Sequence, residues 1–226
     1  MSNFTTWRSL VDGEEVDGIP DSVVEQFDAQ SAFSGLSDGS SISEWEGELG
    51  KWTLTGGDPT LDVSAINGYR APVFDGTDDR LNTGQFSSSD SFEQPYTVFA
   101  VVDRTAGRGV QWTEYSDSNR RFIHFNNEWG MGTDNTNQDG STDDTVQLIS
   151  AGFDSDGYLR EDGTETDSGD ASDGIFEGVS LGARQPDDDL HWEGAIGFYE
   201  VHDALLTGSD LTDREQDIAD MWDITL

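Results

Sequence analysis

The sequence contains no cysteine, a single lysine and only five prolines among its 226 residues. Without cysteine, disulfide bonds and cysteine-ligated zinc are excluded, so the fold has to be held by packing. No run approaches eighteen consecutive apolar residues, which excludes insertion of an apolar helix into a membrane. The N-terminal stretch MSNFTTWRSLVDGEEVDG has no apolar signal core. We therefore expect a protein that stays inside the cell or leaves it without signal-directed secretion.

Positive charge is the scarcest feature, because Lys51 and ten arginines face 47 acidic residues, for a formal net charge of −36. Phosphate binding requires a basic face, so nucleic acid is excluded as a partner. The acids are spread along the whole chain, and in molar salt a Debye length of about 3 Å screens their mutual repulsion. The composition therefore predicts a protein of a halophile. The alternative is an acidic protein of ordinary salt that binds cations or basic partners.

Short apolar runs alternate with glycine turns, since many of the 26 glycines stand in Asp-Gly or Gly-Asp pairs. The clearest strand is YTVFAVVD at 96–103, which is apolar on both faces. Further strands are predicted at 50–56, 71–76, 120–127, 145–153, 157–163, 178–184 and 192–206. Many short strands with regular turns indicate an all-β sandwich or barrel.

Two segments are predicted to be helical. In the C-terminal stretch 211–226, Thr212 and Glu215 form a capping-box pattern, followed by apolar residues at helical spacing, including Ile218 and Trp222. A weaker helical pattern covers 22–31. We divide the chain into an N-terminal leader or attachment arm (1–23) and one domain (24–226).

Four segments in a particular order carry a resemblance to a known family: FDAQSAFSGLSDGSSISEWEGELGKW, INGYRAPVFDGTDDRL, PYTVFAVVDRT and WEGAIGFYEVHDALLTGSDLTDREQDIADMW. The chain resembles the concanavalin A-like laminin G (LamG) domains of bacterial surface proteins and phage virion proteins. The resemblance begins near residue 24 and extends to the C-terminal helix. It implies a concanavalin A-like antiparallel β-sandwich, or jelly roll, with a short C-terminal helix.

The FDGTDD segment within this resemblance raises the question of whether its acids form a site. Asp75-Gly76 predicts a tight turn after the strand that ends at Phe74. Asp78 and Asp79 then either accept backbone N–H bonds or bind a cation. The resemblance implies that the motif is mainly architectural.

Some glycoside hydrolases share the jelly roll and use two carboxylates about 5–5.5 Å apart on a Glu-x-Asp-x-x-Glu strand. The nearest match is ETDSGD, with Glu165, Asp167 and Asp170, but it lacks the last glutamate and the apolar neighbours. We interpret it as a solvated loop. No Gly-x-Ser-x-Gly elbow occurs, and no metal-ligand spacing relates the histidines, which are His124, His191 and His202. The sequence therefore predicts a protein that is not an enzyme.

Calcium is the one cofactor that the sequence suggests. NTNQDGSTD places Asn135, Asn137, Asp139 and Asp143 at positions of a calcium loop, with Val146 where the bidentate glutamate would stand. The resemblance implies a calcium ion near the rim of the ligand site. The alternative is a solvated hairpin loop.

Carbohydrate binding would use exposed aromatic rings as stacking platforms beside amide hydrogen-bonding groups. The residues predicted to bind a ligand are Trp112, Tyr115, Asn126, Asn127, Trp129 and Trp192. The alternative for these aromatics is packing in the core or between subunits. Three other tryptophans are predicted to lie in the core: Trp45, Trp52 and Trp222.

The function that these observations favour is a non-catalytic adhesion or interaction module. The resemblance and the charge together suggest a structural protein on the virion surface of a halophilic virus, as a homo-oligomer beside other virion proteins, with a host-surface glycan as its ligand. An extracellular or cell-surface location on a halophile is the alternative. The rival functions are a coat or tail component without a ligand and a glycoside hydrolase of the same fold.

Overall fold

The computed structural model describes residues 8–11, 14–17, 19–107, 111–113, 121–122, 124–125, 128–131, 137–138, 146–171, 174–183 and 191–226. The strands in this part of the chain are β1 (Arg8–Val11), β2 (Glu14–Asp17), β3 (Val23–Asp28), β4 (Glu44–Glu46), β5 (Thr53–Gly56), β6 (Thr60–Ile66), β7 (Tyr69–Asp75), β8 (Leu81–Asn82), β9 (Phe92–Glu93), β10 (Tyr96–Gly107), β11 (Gln111–Thr113), β12 (Arg121–Phe122), β13 (His124–Phe125), β14 (Glu128–Met131), β15 (Asn137–Gln138), β16 (Val146–Phe153), β17 (Gly157–Glu161), β18 (Thr164–Gly169), β19 (Ile175–Phe176), β20 (Ser180–Leu181) and β21 (Trp192–His202). The helices are α1 (Ala29–Ala32) and α2 (Gly208–Met221).

Two antiparallel sheets form the body. The larger has the order β18-β17-β16-β10-β21-β7-β6, with β3 also paired to β21, and the smaller has the order β12-β11-β20-β8-β5-β4. Aromatic rings join them, since Phe27 of β3 meets Trp45 of β4 edge-on at 5.8 Å. The expected all-β sandwich with a C-terminal helix is confirmed.

The centre of the larger sheet is β10, which pairs with β16 on one side and β21 on the other. Its residues Val98–Val102 are fully buried, because both faces of this strand are apolar. The strand predicted at 96–103 is thus confirmed, and it continues to Gly107. The three tryptophans assigned to the core are also buried: Trp45, Trp52 and Trp222.

The C-terminal helix forms as predicted, but the capping box does not. The Thr212 hydroxyl donates to the carbonyls of Gly208 and Ser209 inside the helix. The Glu215 carboxylate is buried and accepts hydrogen bonds from Ser150 and Arg160 of the sheet. The Glu215 side chain, which the local pattern assigned to the helix cap, instead forms an ion pair with Arg160.

Other differences follow from sheet pairing. Most of the predicted helix 22–31 is β3, because its β-branched Val23 and Val24 lie in a strand paired with β21, and only α1 is helical. The ETDSGD loop is instead largely β18, the edge strand of the larger sheet. The predicted strands 178–184 and 192–206 shorten to β20 and β21.

The chain is packed onto the sandwich from Ile19 onward, since Ile19 and Pro20 are buried and Ser22 bonds to His202. In the part of the chain that the structure describes, no helix has the length and apolar character that a membrane crossing would require.

Candidate functional site

An open groove with a volume of about 1000 Å³ lies on the surface beside α1, β4 and the loop that follows β4. Its apolar lining comes from Val24, Phe33 and Leu36, and Leu36 is 43% exposed. Its polar lining is Ser31, Glu44, Glu46, Glu48 and Lys51. A groove that combines apolar surface with convergent polar groups has the character of a ligand site.

Strand alternation places the carboxylates on the groove. In the EWE sequence of β4, Trp45 is buried in the core while Glu44 and Glu46 are exposed on the opposite face. The strand is an edge of the smaller sheet, so its outer edge is not paired with a further strand of that sheet. The sequence signal was the Glu-Trp-Glu alternation at 44–46. Sequence reasoning assigned Trp45 to the core and did not consider the two glutamates beside it.

The loop 47–52 forms one wall of the groove, and a buried carboxylate fixes its backbone. Glu25 of β3 is 0% exposed and accepts hydrogen bonds from the backbone N–H groups of Leu49 at 2.8 Å, Lys51 at 2.7 Å and Trp52 at 2.9 Å. A fourth bond comes from its neighbour Gln26 at 3.0 Å. Burial raises the pKa of Glu25, and these four N–H bonds act in the opposite direction.

Gly47 is required at the start of this wall by close approach. A Cβ atom added there would lie 2.2 Å from the Glu25 carboxyl carbon. Gly50, at the tip, has a φ of +67°, which favours glycine for a different reason. The sequence GELG thus permits a tight loop that wraps around one carboxylate.

A second carboxyl lies behind the α1 side of the groove. Asp28 caps α1 by accepting from the Gln30 N–H at 3.0 Å. Burial raises the pKa of Asp28 to about 6, and the nearby Glu48 carboxylate adds to the rise. Glu48 also accepts a hydrogen bond from Ser31, so α1 and the loop are bonded across the groove.

Aromatic rings continue from the end of the groove. The Lys51 ammonium lies 5.3 Å from the centroid of the Trp52 ring, a cation–π contact. Trp52 packs against Phe86 at 4.7 Å and against Phe176 at 5.5 Å, and Phe92 stacks on Phe176 at 4.9 Å. Phe86 and Phe92 are half-buried, so part of this stack reaches the surface.

The acidic turn of the FDGTDD segment is built by backbone hydrogen bonds. Asp75 Oδ1 accepts from the Thr77 N–H at 2.8 Å, Gly76 has a φ of +74°, and Asp79 Oδ2 accepts from the Asp75 N–H at 2.9 Å. The predicted Asx-type turn is confirmed. The Thr77 bond lowers the pKa of Asp75, while burial and neighbouring acids raise that of Asp79.

Within the described residues, this turn also contains the one group of three carboxylates close enough to share a cation, namely Asp75, Asp78 and Asp79. Their oxygen atoms lie within 4.8 Å of one another. The backbone bonds already explain two of these side chains, which favours the architectural interpretation.

A hydrogen-bonded chain runs through Ser22, His202 and Glu200, the residue types of a hydrolase triad, but with the two imidazole nitrogens exchanged relative to the usual triad. Ser22 Oγ lies 2.8 Å from His202 Nδ1, and His202 Nε2 lies 2.8 Å from Glu200 Oε1. Histidine and glutamate are both fully buried, and Arg214 of α2 binds both carboxylate oxygens.

Two backbone N–H groups beside this serine are engaged within the protein. The N–H of Val23 donates to Pro20, and that of Asp203 donates to Ser22. The side-chain bonds link β21 to α2 and to the segment before β3.

The predicted stacking tryptophans lie in the interior where the structure describes them. Trp129 is 1% exposed and donates from Nε1 to Gln147, and Trp192 is 0% exposed, with its ring 5.9 Å from that of Trp129. The prediction of exposed platforms at these two positions is therefore wrong. The reason is that each belongs to a strand whose inner face packs in the core.

For the other predicted site residues, the structure describes no side chain. Trp112 and Asn137 belong to β11 and β15, but their side chains are not described. The remaining predicted ligand-binding and calcium-binding residues lie outside the described residues: Tyr115, Asn126, Asn127, Asn135, Asp139 and Asp143. The calcium loop and these stacking positions stay predictions.

The groove residues that sequence reasoning missed had recognisable signals. Glu25 is the only charged residue in the apolar run SVVEQF, and Lys51 is the only lysine of the chain. Lys51 belongs to the wall, and Glu25 binds its backbone N–H from behind. With 47 acidic residues in the chain, composition alone does not distinguish the buried Glu25 from the acids of the surface.

Solved structures with similar folds include a domain of an arabinanase, a sialidase and the binding domain of a mosquitocidal protein. Domain 4 of AbnA, an extracellular GH43 arabinanase from Geobacillus stearothermophilus in complex with arabinotriose, matches with a TM-score of 0.55 at 16% identity, over 84% of this chain and 97% of that domain. Trypanosoma rangeli sialidase in complex with sialic acid matches with a TM-score of 0.60 at 11% identity, over 95% of this chain and 36% of the sialidase. The binding domain of Paraclostridial Mosquitocidal Protein 1 matches with a TM-score of 0.51 at 11% identity, over 89% of this chain and 52% of that one.

At these identities the likeness shows the fold. The chain spans about a third of the sialidase, which is therefore a larger protein than the region compared. No protein-family model matches the chain, and no curated protein matches it either.

Proposed function

We propose that this protein is a non-catalytic carbohydrate-binding module and that its ligand lies in the groove between α1 and the loop 47–52. The observation that carries the proposal is the groove itself, whose volume is about 1000 Å³ and whose wall is held by hydrogen bonds without a ligand. Support comes from the similar domain that was solved in complex with arabinotriose.

The lining suits a sugar chemically. Carboxylate oxygens of Glu44, Glu46 and Glu48 accept hydrogen bonds from hydroxyl groups, and the Lys51 ammonium donates. Exposed Leu36 offers apolar surface to the C–H faces of a pyranose or furanose ring. A wall that is already ordered lowers the conformational entropy lost on binding, which matters for a flexible oligosaccharide.

One observation favours a glycoside hydrolase as the second candidate. Asp28, with a pKa of about 6, lies near Glu48, and a raised carboxyl pKa is what a general acid requires. Asp28 does not line the groove, however, and its Oδ1 is bonded to the Gln30 N–H. Hydrolysis of a bound glycan that disappears in Asp28→Asn would establish the hydrolase.

The biological setting belongs to the same proposal. We place the protein on the virion surface of a halophilic virus, as a homo-oligomer that binds a host-surface glycan, with the surface of a halophilic cell as the alternative. Its support is the excess of 47 acids over 11 basic residues. Mass spectrometry of purified virions from a halophilic host would detect the protein in the particle, and its absence from every particle would contradict this setting.

The binding function is tested on a glycan array in molar salt that includes arabinotriose and sialic acid-terminated glycans as probes. We expect wild type to retain at least one probe and Glu46→Gln to weaken it roughly tenfold, through loss of a charge-assisted hydrogen bond. The matched control is Glu165→Gln, another exposed strand glutamate, on β18.

Equal losses in both variants would place the ligand elsewhere. Retention of no probe, together with a stable oligomer in light scattering, would favour the rival function of a coat or tail component without a ligand.

A further inference from the structure

Among the described residues, the hydrogen-bond partners of the buried Glu25 carboxylate include no cation. It is 0% exposed, and its four partners are all backbone N–H groups, three of them in the wall segment 49–52. The other fully buried glutamate of the larger sheet, Glu200, is bonded to Arg214. Burying a charge is costly unless it is compensated, and for Glu25 the bonds that offset part of this cost come from backbone N–H groups.

We propose that Glu25 is the positioning residue of the groove, and that its ionised carboxylate holds the wall 49–52 in the conformation that binds the ligand. The inference rests on the proposed glycan-binding function. In this role the buried Glu25 carboxylate orders a binding loop, as a bound ion does in other proteins. The groove-lining residues of this wall include Leu49 and Lys51.

The division of the bonds explains why the ionised form is needed. Oε1 accepts from Gln26 and Leu49, and Oε2 accepts from Lys51 and Trp52. An ionised carboxylate accepts at both oxygens, whereas a protonated carboxyl or an amide turns one of them into a donor. Two of the four N–H groups would then face a donor, and that side of the wall would detach.

Several charged groups surround this site, and they have to be separated from Glu25. Asp28 lies on the same strand, Glu48 and Lys51 have exposed side chains on the loop, and Glu200 lies on the paired strand β21. Burial raises the pKa of Glu25 above its ordinary 4.5, and that of Asp28 to about 6. Wild-type binding should therefore weaken as the pH falls from 7 toward 4.5.

The stability contribution of Glu25 runs in the opposite direction. Because its folded-state pKa is raised, the contribution is full below the unfolded pKa of 4.5 and is lost as the pH rises through the folded value. Weaker binding at pH 5 thus cannot be attributed to this group unfolding the protein. In Glu25→Gln the part of the binding profile due to Glu25 should disappear, while the part due to Asp28 remains.

The direct test is amide hydrogen exchange on the ligand-free protein. In Glu25→Gln, the amides of the pair bonded to the replaced oxygen, either Lys51 and Trp52 or Gln26 and Leu49, should exchange roughly tenfold faster or more. Amides of β10 should keep their protection. The matched control is Glu215→Gln, which removes another buried carboxylate, bonded to Ser150 and Arg160 instead of the loop. In this variant the wall amides should keep their wild-type protection relative to the amides of β10.

A steric variant keeps the test decisive if the glutamine protein folds poorly. Gly47→Ala places a Cβ atom 2.2 Å from the Glu25 carboxyl carbon and should displace it, whereas Gly35→Ala meets nothing within 4 Å. Unchanged protection of the wall in Glu25→Gln and in Gly47→Ala would overturn the positioning role.

Binding of arabinotriose, or of another array probe that wild type retains, separates this inference from the proposed function. Faster wall exchange with equally faster loss of the probe in Glu25→Gln supports both. Faster exchange with unchanged probe binding overturns the positioning role and leaves the module intact. If wild type binds no probe while the wall amides of Glu25→Gln still exchange faster, the glycan function is overturned and Glu25 remains the residue that orders the wall.

Discussion

Glu200 shows how a single buried charge is accommodated in this acidic molecule. Burial raises its pKa, but the guanidinium of Arg214 and the imidazole of His202 outweigh burial and lower the pKa to about 2. A carboxyl with a lowered folded-state pKa contributes stability above its unfolded pKa of 4.5, and this contribution is lost as the pH falls toward 2. The charge is therefore stabilising only while its partners are present.

Replacing Arg214 with methionine should destabilise the protein by about 3–5 kcal/mol at pH 7, because Glu200 would remain buried without its guanidinium partner. The difference from wild type should shrink as the pH falls, since protonation relieves the unpaired carboxylate in the variant. Urea unfolding followed by tryptophan fluorescence at pH 7, 5 and 4 measures both effects.

The matched second variant is Arg214→Met with Glu200→Gln, which removes the pair together and keeps a polar partner for His202. It should be more stable at pH 7 than Arg214→Met alone. If the double variant is the less stable one, the loss in the single variant has another cause, such as poor packing of methionine against Gln26.

At the scale of elements, α2 is held by neighbouring side chains of opposite sign. Arg214 binds Glu200 of β21, and the next residue, Glu215, binds Arg160 of β17 at 2.8 Å and Ser150 of β16 at 2.6 Å. The helix is thereby fixed to three strands of the larger sheet. Its first turn has no side-chain cap, so its stability comes from tertiary contacts.

Replacing Glu215 with glutamine should destabilise the protein by about 2–4 kcal/mol, because Arg160 would lose a buried partner. Thr212→Ala should change stability by about 0.5 kcal/mol or less, since this exposed hydroxyl donates only within its own helix. Thermal unfolding by circular dichroism compares the two variants directly. A larger loss in Thr212→Ala than in Glu215→Gln would restore the capping box that the sequence suggested.

The sequence predicted those elements whose own pattern determines them. The strand at 96–103 is apolar on both faces and was found, as were the turn at Asp75-Gly76 and the C-terminal helix. The helix predicted at 22–31 failed because pairing with β21 outweighs local propensity. The groove was not found, because Glu25 and the amides of 49–52 meet only after β3 of the larger sheet and β4 of the smaller sheet pack against each other.

The molecule as a whole separates its charges by depth. The buried glutamates of the described residues, Glu25, Glu161, Glu200 and Glu215, each have bonded partners. Most other acids of the described residues are at least partly exposed, and the chain has few basic residues to pair with them. Aromatic side chains pack in the interior, including the fully buried Trp45 and Trp192. Salt should therefore act on the surface charge and leave the interior pairs nearly unchanged.

The free energy of unfolding should rise as potassium chloride is increased from about 0.1 M to about 2 M, because the Debye length shrinks from roughly 10 Å to under 3 Å and a net charge of −36 repels itself less. Most of the gain should come by about 1 M, where screening is already short-ranged. Urea midpoints at each salt concentration measure it. Potassium sulfate at equal ionic strength is the control, since a gain seen with sulfate alone would reflect exclusion of that salt from the surface. The loss caused by Arg214→Met should persist at high salt, because a buried pair is screened little. A urea midpoint that does not change with potassium chloride would show that repulsion between the acids does not limit stability. It would remove the support for a halophilic source.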